Sequence, residues 1–150
     1  MLKGYDSEGF VFFTNYHSGK AKNIENNQNV AVVIFWKELE RQIRIEGKVE
    51  KINAEESDAY FLSRPKESQI GAWASPQSAV IASRDFLENK VEEYSEKFSK
   101  EEITRPQHWG GYIVRPDTFE FWQGRESRLH DRLQYNLQAN GEWTMVRLAP

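Results

Sequence analysis

Thr118-Phe-Glu-Phe-Trp-Gln-Gly-Arg-Glu-Ser-Arg-Leu-His-Asp-Arg132 is the stretch on which the rest of the chain depends. Phe119, Phe121 and their β-favouring neighbours read as a strand, Gln123-Gly124 as a break, and Ser127 onward as a second extended segment. Side chains alternate along a strand, so Arg128, His130 and Arg132 would share one face while Leu129, Asp131 and Leu133 take the other. Two guanidiniums and an imidazole on one face repel each other unless an anion sits among them, and Arg grips phosphate with two parallel hydrogen bonds. The same pattern fits a solvated strand edge whose charges block edge-to-edge pairing. Alternation alone does not choose between the two.

Working outward, Trp143–Leu148 and Tyr135–Gln138 pair across Asn140-Gly141, the strongest hairpin signal in the chain. His108–Arg115 reads as a strand whose paired glycines allow close backbone approach or a bulge, with a turn at Pro116-Asp117 before the next strand. Near the start, Leu2–Tyr5 and Phe10–Thr14 form a hairpin over Asp6-Ser-Glu-Gly9. Because the chain opens inside a strand, an N-terminally shortened chain is expected. Ser18 caps a short helix, Lys20–Asn26, which places Lys20 in the first turn, where backbone N–H groups and a lysine suit a phosphate. The apolar run Asn29–Trp36 predicts a buried strand, and Gln42–Glu50 alternates with Ile43, Ile45, Gly47 and Val49 on one side. Gln42 is either simply exposed or an amide able to donate to and accept from a heterocycle.

Ala54–Ser63 and Lys66–Trp73 read as helices separated by Pro65. Tyr60, Arg64 and Ser68, spaced by four, bring a phenol, a guanidinium and a hydroxyl toward one phosphate, or fall together by chance. Ser75-Pro76 reads as the start of a helix running to about Ser99, its apolar stripe packing on the sheet or a partner. The count is about seven strands with three or four helices, in an antiparallel meander that curls into a barrel.

At 150 residues the chain is the size of a single domain, 1–150, with 39% apolar and 29% charged residues. A net charge of −3 argues against a general nucleic-acid binder. No apolar run of membrane-spanning length and no leader is seen, so a cytoplasmic location is the default. Zero Cys and three scattered His leave no basis for a thiolate, disulfide or metal centre.

The motifs F-W-Q-G-x-x-x-R-L-H-D-R, L-K-x-Y-D, F-x-T-N, L-E-R-Q, Y-F-x-S-R-P-x-x-S-Q-I-G-A-W-x-S-x-Q-S and W-G-G together resemble the pyridoxamine 5'-phosphate oxidase family. The resemblance spans essentially the whole chain and implies a mainly β, α+β fold: an antiparallel split β-barrel of FMN-binding type that forms a homodimer with FMN between the subunits. It implies that FMN is held by Thr14, Lys20, Gln42, Gln77, Ser78, Trp122 and Arg132. It implies that the substrate, pyridoxamine or pyridoxine 5'-phosphate, is held by Lys3, Tyr60, Arg64, Ser68, Arg128 and His130, the last two at the reacting centre. The implied reaction is hydride transfer to the flavin, which O2 reoxidises. Two departures stand out: the family's Arg a few residues before Lys3 lies upstream of this chain, and Gly19 stands where many members carry Arg. A non-catalytic flavin or pyridoxal-phosphate module, or an inactive fragment, is the alternative function.

Overall fold

The structure, a computed structural model, describes residues 2–150. Seven strands form one antiparallel sheet: β1 Gly4–Tyr5, β2 Phe10–Asn15, β3 Asn29–Trp36, β4 Arg41–Lys51, β5 Trp109–Gln123, β6 Asp131–Leu137 and β7 Trp143–Leu148. The order is β1-β2-β5-β4-β3, and β6 and β7 extend from the other half of β5. Four helices accompany the sheet: α1 Gly19–Asn26, α2 Ala54–Leu62, α3 Lys66–Ala74 and α4 Arg84–Lys100. Both predicted hairpins form, the second through Gly141 at φ 83°. The α+β antiparallel fold expected from the sequence is therefore the one observed.

β5 is the spine. Its first half is buried on both faces because α1 covers one side and α2 the other. Ala21 and Ile24 of α1 pack on Val49, Tyr112 and Val114, while Phe61 of α2 meets Trp109 edge-on at 5.5 Å between ring centres. The paired glycines serve close approach: a Cβ on Gly110 would lie 2.1 Å from the Tyr16 hydroxyl, and one on Gly111 2.3 Å from Ile52.

Three expectations need correction. Pro116-Asp117 does not end a strand; β5 runs through it, and Asp117 is the extra residue of a bulge, since Glu46 pairs with Thr118 and Gly47 with Pro116. Gly47 is required there, because a Cβ would sit 2.0 Å from the Arg115 carbonyl oxygen. Second, β3 is an edge strand, not a buried one, with Val33 and Phe35 56% and 58% exposed. Its continuous apolar character marks a surface open in the single chain. Third, Ser75 ends α3; the residue before a proline is driven to extended geometry, and Ser75 has ψ 112°. The long helix begins instead at Arg84, where the Ser83 hydroxyl accepts the Phe86 N–H.

Candidate functional site

The expected site residues gather at the two ends of β5. At its N-terminal end, the buried Thr14 on β2 donates its hydroxyl to Gln77 Oε1 (3.2 Å), which also accepts the Asn15 N–H (3.1 Å). The Thr14 hydroxyl also meets Ser18 Oγ at 3.3 Å, and Ser18 caps α1 by accepting the Ala21 N–H. Ser78, in the left-handed region at φ 68°, lies against Gly19. A cleft of about 440 Å³ opens beside Gly19, Gln77 and Ser78; its lining includes Lys22, His17, His108 and Lys90, the last ion-paired with Glu93 at 2.7 Å, but, among the described residues, no carboxylate. The donors and charges suit an anion. Lys20 is not in this cleft: its ammonium lies 5.7 Å from the Phe12 ring centre, at a neighbouring, mostly apolar cleft of about 700 Å³ between α1 and β3.

On the α2 side of the same end, Tyr60 stacks on Phe13 at 3.8 Å, and both rings lie nearly parallel to Trp109. Arg64, just past α2, places its guanidinium carbon 4.7 Å from the Trp109 ring centre. Its Nη1 is buried without a hydrogen-bond partner, and no carboxylate pairs with it among the described residues. Burial lowers the Arg64 pKa, and nearby Tyr60 offsets this only in part. Ser68 sits in the first turn of α3, and its hydroxyl bonds to neither Tyr60 nor Arg64. Lys3 precedes β1, its N–H donating to the Val11 carbonyl.

At the far end, Gln42, Trp122 and Arg132 are directly paired across β4, β5 and β6, so they share one face. Arg132 donates from Nε and Nη2 to the two carboxylate oxygens of Glu120 (2.8 and 3.1 Å) and from Nη1 to the Ala149 carbonyl. Arg44 approaches the same carboxylate at 3.3 Å. Hydrogen bonds from Arg132 hold the Glu120 carboxyl below the usual carboxylate range, against the opposing pull of burial. A cleft of about 530 Å³ lined by Gln42, Trp122 and Trp36 opens beside this row.

The segment around Arg128 corrects the same-face reading. Ser127 onward is not extended: Glu126–Arg128 form a 3-10 turn, and β6 begins only at Asp131. Ser127 and Arg128 both lie in the left-handed region, at φ 56° and 61°, a costly geometry for side-chain-bearing residues that clusters at functional sites. Arg128 therefore leaves the chain from a strained turn, not from a strand, and Arg132 has a carboxylate where the sequence suggested an anion vacancy. His130 still reaches the row, its ring centre 4.8 Å from that of Trp122. Its Nδ1 accepts the Arg125 N–H, so the neutral ring carries its proton on Nε2.

Two residues of the site were missed. Glu120 follows from alternation, as the polar residue between Phe119 and Phe121 that shares a face with Trp122. Trp109 gives no local signal, because its meeting with Arg64 depends on how α2 lies on the sheet.

The model of the family described as pyridoxamine 5'-phosphate oxidase matches residues 1–98, and that of the pyridoxine 5'-phosphate oxidase C-terminal dimerisation region matches 109–150. The chain belongs to the pyridoxamine 5'-phosphate oxidase family. Relatives in it include the pyridoxine/pyridoxamine 5'-phosphate oxidases of Microcystis aeruginosa and of a Polaromonas species. Each is 57% identical over the whole chain, which covers 70% and 69% of their lengths respectively. Among solved structures, PhzG from Burkholderia lata in complex with tetrahydrophenazine-1-carboxylic acid superposes with a TM-score of 0.90 at 27% identity, over 99% of this chain and 72% of that one. Family membership agrees with the antiparallel split-barrel architecture. It also agrees with an oxidase, and no helix among the described residues is long and apolar enough to cross a membrane.

Proposed function

We propose that this chain is an FMN-dependent oxidase that converts pyridoxamine 5'-phosphate or pyridoxine 5'-phosphate to pyridoxal 5'-phosphate, working as a homodimer of single-domain subunits. The observation that carries the reading is the presence of two separate anion-seeking places at one end of the sheet: the unpaired, half-buried Arg64, and the carboxylate-free cleft at Gly19, Gln77 and Ser78. A flavin carrier needs one phosphate site; an enzyme joining a phosphorylated cofactor to a phosphorylated substrate needs two.

Trp122 lies twelve residues beyond Gly110 on β5, a path of at most about 40 Å at ~3.3 Å per residue. Thr14, Gln77 and Ser78 gather at the N-terminal end of β5 and Gln42, Trp122 and Arg132 at the other, and in this reading the first set reaches the flavin from one subunit and the second from its partner. The exposed apolar edge β3 and the family's dimerisation region support such a pairing. Thr14, Ser78 and the α1 N-terminus would hold the FMN phosphate, the Gln42 amide would hold the heterocycle edge, and Trp122 would wall the ring. Arg64 and Tyr60 would grip the substrate phosphate, with Lys3 and Ser68 at its rim. Arg128 and His130, the latter donating from Nε2, would press the pyridine ring against the flavin. Acceptance of hydride from C4′, and return of the electrons to O2 as hydrogen peroxide, is the chemistry FMN supplies when bound.

Anaerobic mixing of the FMN-loaded protein with pyridoxamine 5'-phosphate tests this. Bleaching of the oxidised flavin's visible absorbance, restored by O2 with release of hydrogen peroxide, is expected. An FMN-loaded protein that binds the compound without bleaching would be a binding module.

A further inference from the structure

We infer that Trp109 is a positioning residue: its indole is the platform that holds the Arg64 guanidinium in place for the substrate phosphate. The inference rests on the phosphate-gripping role proposed for Arg64. Arg64 lies outside any helix, between the α2 cap at Ser63 and Pro65, so no regular backbone fixes its side chain. Its carbonyl accepts the Gln69 amide (2.8 Å), which anchors the backbone but not the guanidinium. Several other arginines of this protein are held by acids: Arg132 by Glu120, Arg105 by Asp58, Arg115 by Glu8 and Glu50. At Arg64 the partner is an aromatic face, 4.7 Å from the guanidinium carbon.

The difference matters chemically. A carboxylate would orient the guanidinium but would occupy its fork and cancel its charge, so an incoming phosphate would have to displace it. A ring face attracts the cation through its quadrupole without accepting its N–H groups in the fork or cancelling its charge. Trp109 is itself 7% exposed and packed between Phe13 and Phe61, so the platform is in place before any ligand arrives. Restricting a long side chain beforehand removes an ordering cost from binding.

The test is calorimetric titration of the FMN-loaded dimer with pyridoxal 5'-phosphate, in a double-mutant cycle of Trp109→Leu and Arg64→Ala. Trp109→Leu alone should weaken binding about tenfold, the loss expected of a partly desolvated cation–π contact, with FMN affinity unchanged. In the Arg64→Ala background the same change should do nothing further. Trp109→Phe, which keeps a ring face in the core, should recover most of the affinity and secures the test if the leucine variant folds poorly. Equal losses from Trp109→Leu with and without Arg64, or no loss at all, would overturn the platform role. If Arg64→Ala itself leaves pyridoxal 5'-phosphate binding intact, the phosphate-grip reading fails instead.

Discussion

Replacing Arg64 with alanine is expected to weaken pyridoxal 5'-phosphate binding about 100-fold while leaving affinity for unphosphorylated pyridoxal nearly unchanged. Charge-assisted hydrogen bonds contribute about 1.5–3 kcal/mol each, and a half-buried guanidinium with no acid paired to it has little to lose when a phosphate arrives. No hydrogen-bond partner or carboxylate holds the guanidinium among the described residues, so its charge is not already neutralised in the free protein. Arg64→Lys should recover only part of the loss, because an ammonium neither forks around a phosphate nor lies flat on Trp109. Comparing calorimetric affinities for the phosphorylated and unphosphorylated ligands checks this. Equal weakening for both would move Arg64 away from the phosphate.

The second large effect is expected at Glu120. This carboxylate is 5% exposed and holds Arg132 with two hydrogen bonds and Arg44 at 3.3 Å. Removing one member of a buried ion pair costs about 3–5 kcal/mol. Here both arginine side chains keep contact with water, at 29% and 40% exposure, so Glu120→Ala should cost less than that, about 2–3 kcal/mol. Denaturant unfolding would measure it. FMN affinity should fall as well, because Arg132 loses the partner that fixes it beside Trp122.

The pH dependence has a definite sign. The Glu120 pKa is lowered in the folded protein, by its hydrogen bonds from Arg132 first. The pair's contribution is therefore complete above the unfolded carboxyl's value of about 4.3 and is lost as pH falls through the lower native value. Glu120→Gln should flatten the acid limb of the stability profile. An unchanged limb in that variant would mean that other carboxylates govern acid unfolding.

Much of this fold was legible because local signals and tertiary structure agree. Asn140-Gly141 between two alternating runs, Ser18 before α1, and the Ile43/Ile45/Gly47/Val49 face of β4 each specify their element with nearest-neighbour chemistry. Where the sequence misled, a tertiary effect decided. Pro116 sits within β5 because a bulge opposite Gly47 takes up the extra residue. The apolar run of β3 predicts a buried strand, yet the strand lies at the sheet's edge. Arg128, His130 and Arg132 follow an alternating pattern that the chain does not adopt, since the turn at Glu126–Arg128 delays β6 until Asp131. Of the expected site residues, Thr14 and Gln77 are hydrogen-bonded with Ser78 beside Gly19, and Gln42, Trp122 and Arg132 pair across neighbouring strands. Lys20 turns to the adjacent cleft, and the aromatic floor under Arg64 is set by helix-on-sheet packing that no short motif encodes.

In the proposed dimer each active site takes one end of β5 from each of two subunits, and co-expression of two differently tagged variants is the sharpest test. Ser78→Asp places a negative charge in the carboxylate-free cleft at one end, and Trp122→Ala removes the flavin wall at the other. Each variant alone should bind FMN weakly. In the purified mixed dimer, one site carries both changes and the other carries neither, so tight binding of about one FMN per dimer is expected. If no tight site returns in the mixed dimer, both ends act within a single chain and the shared-site account is wrong.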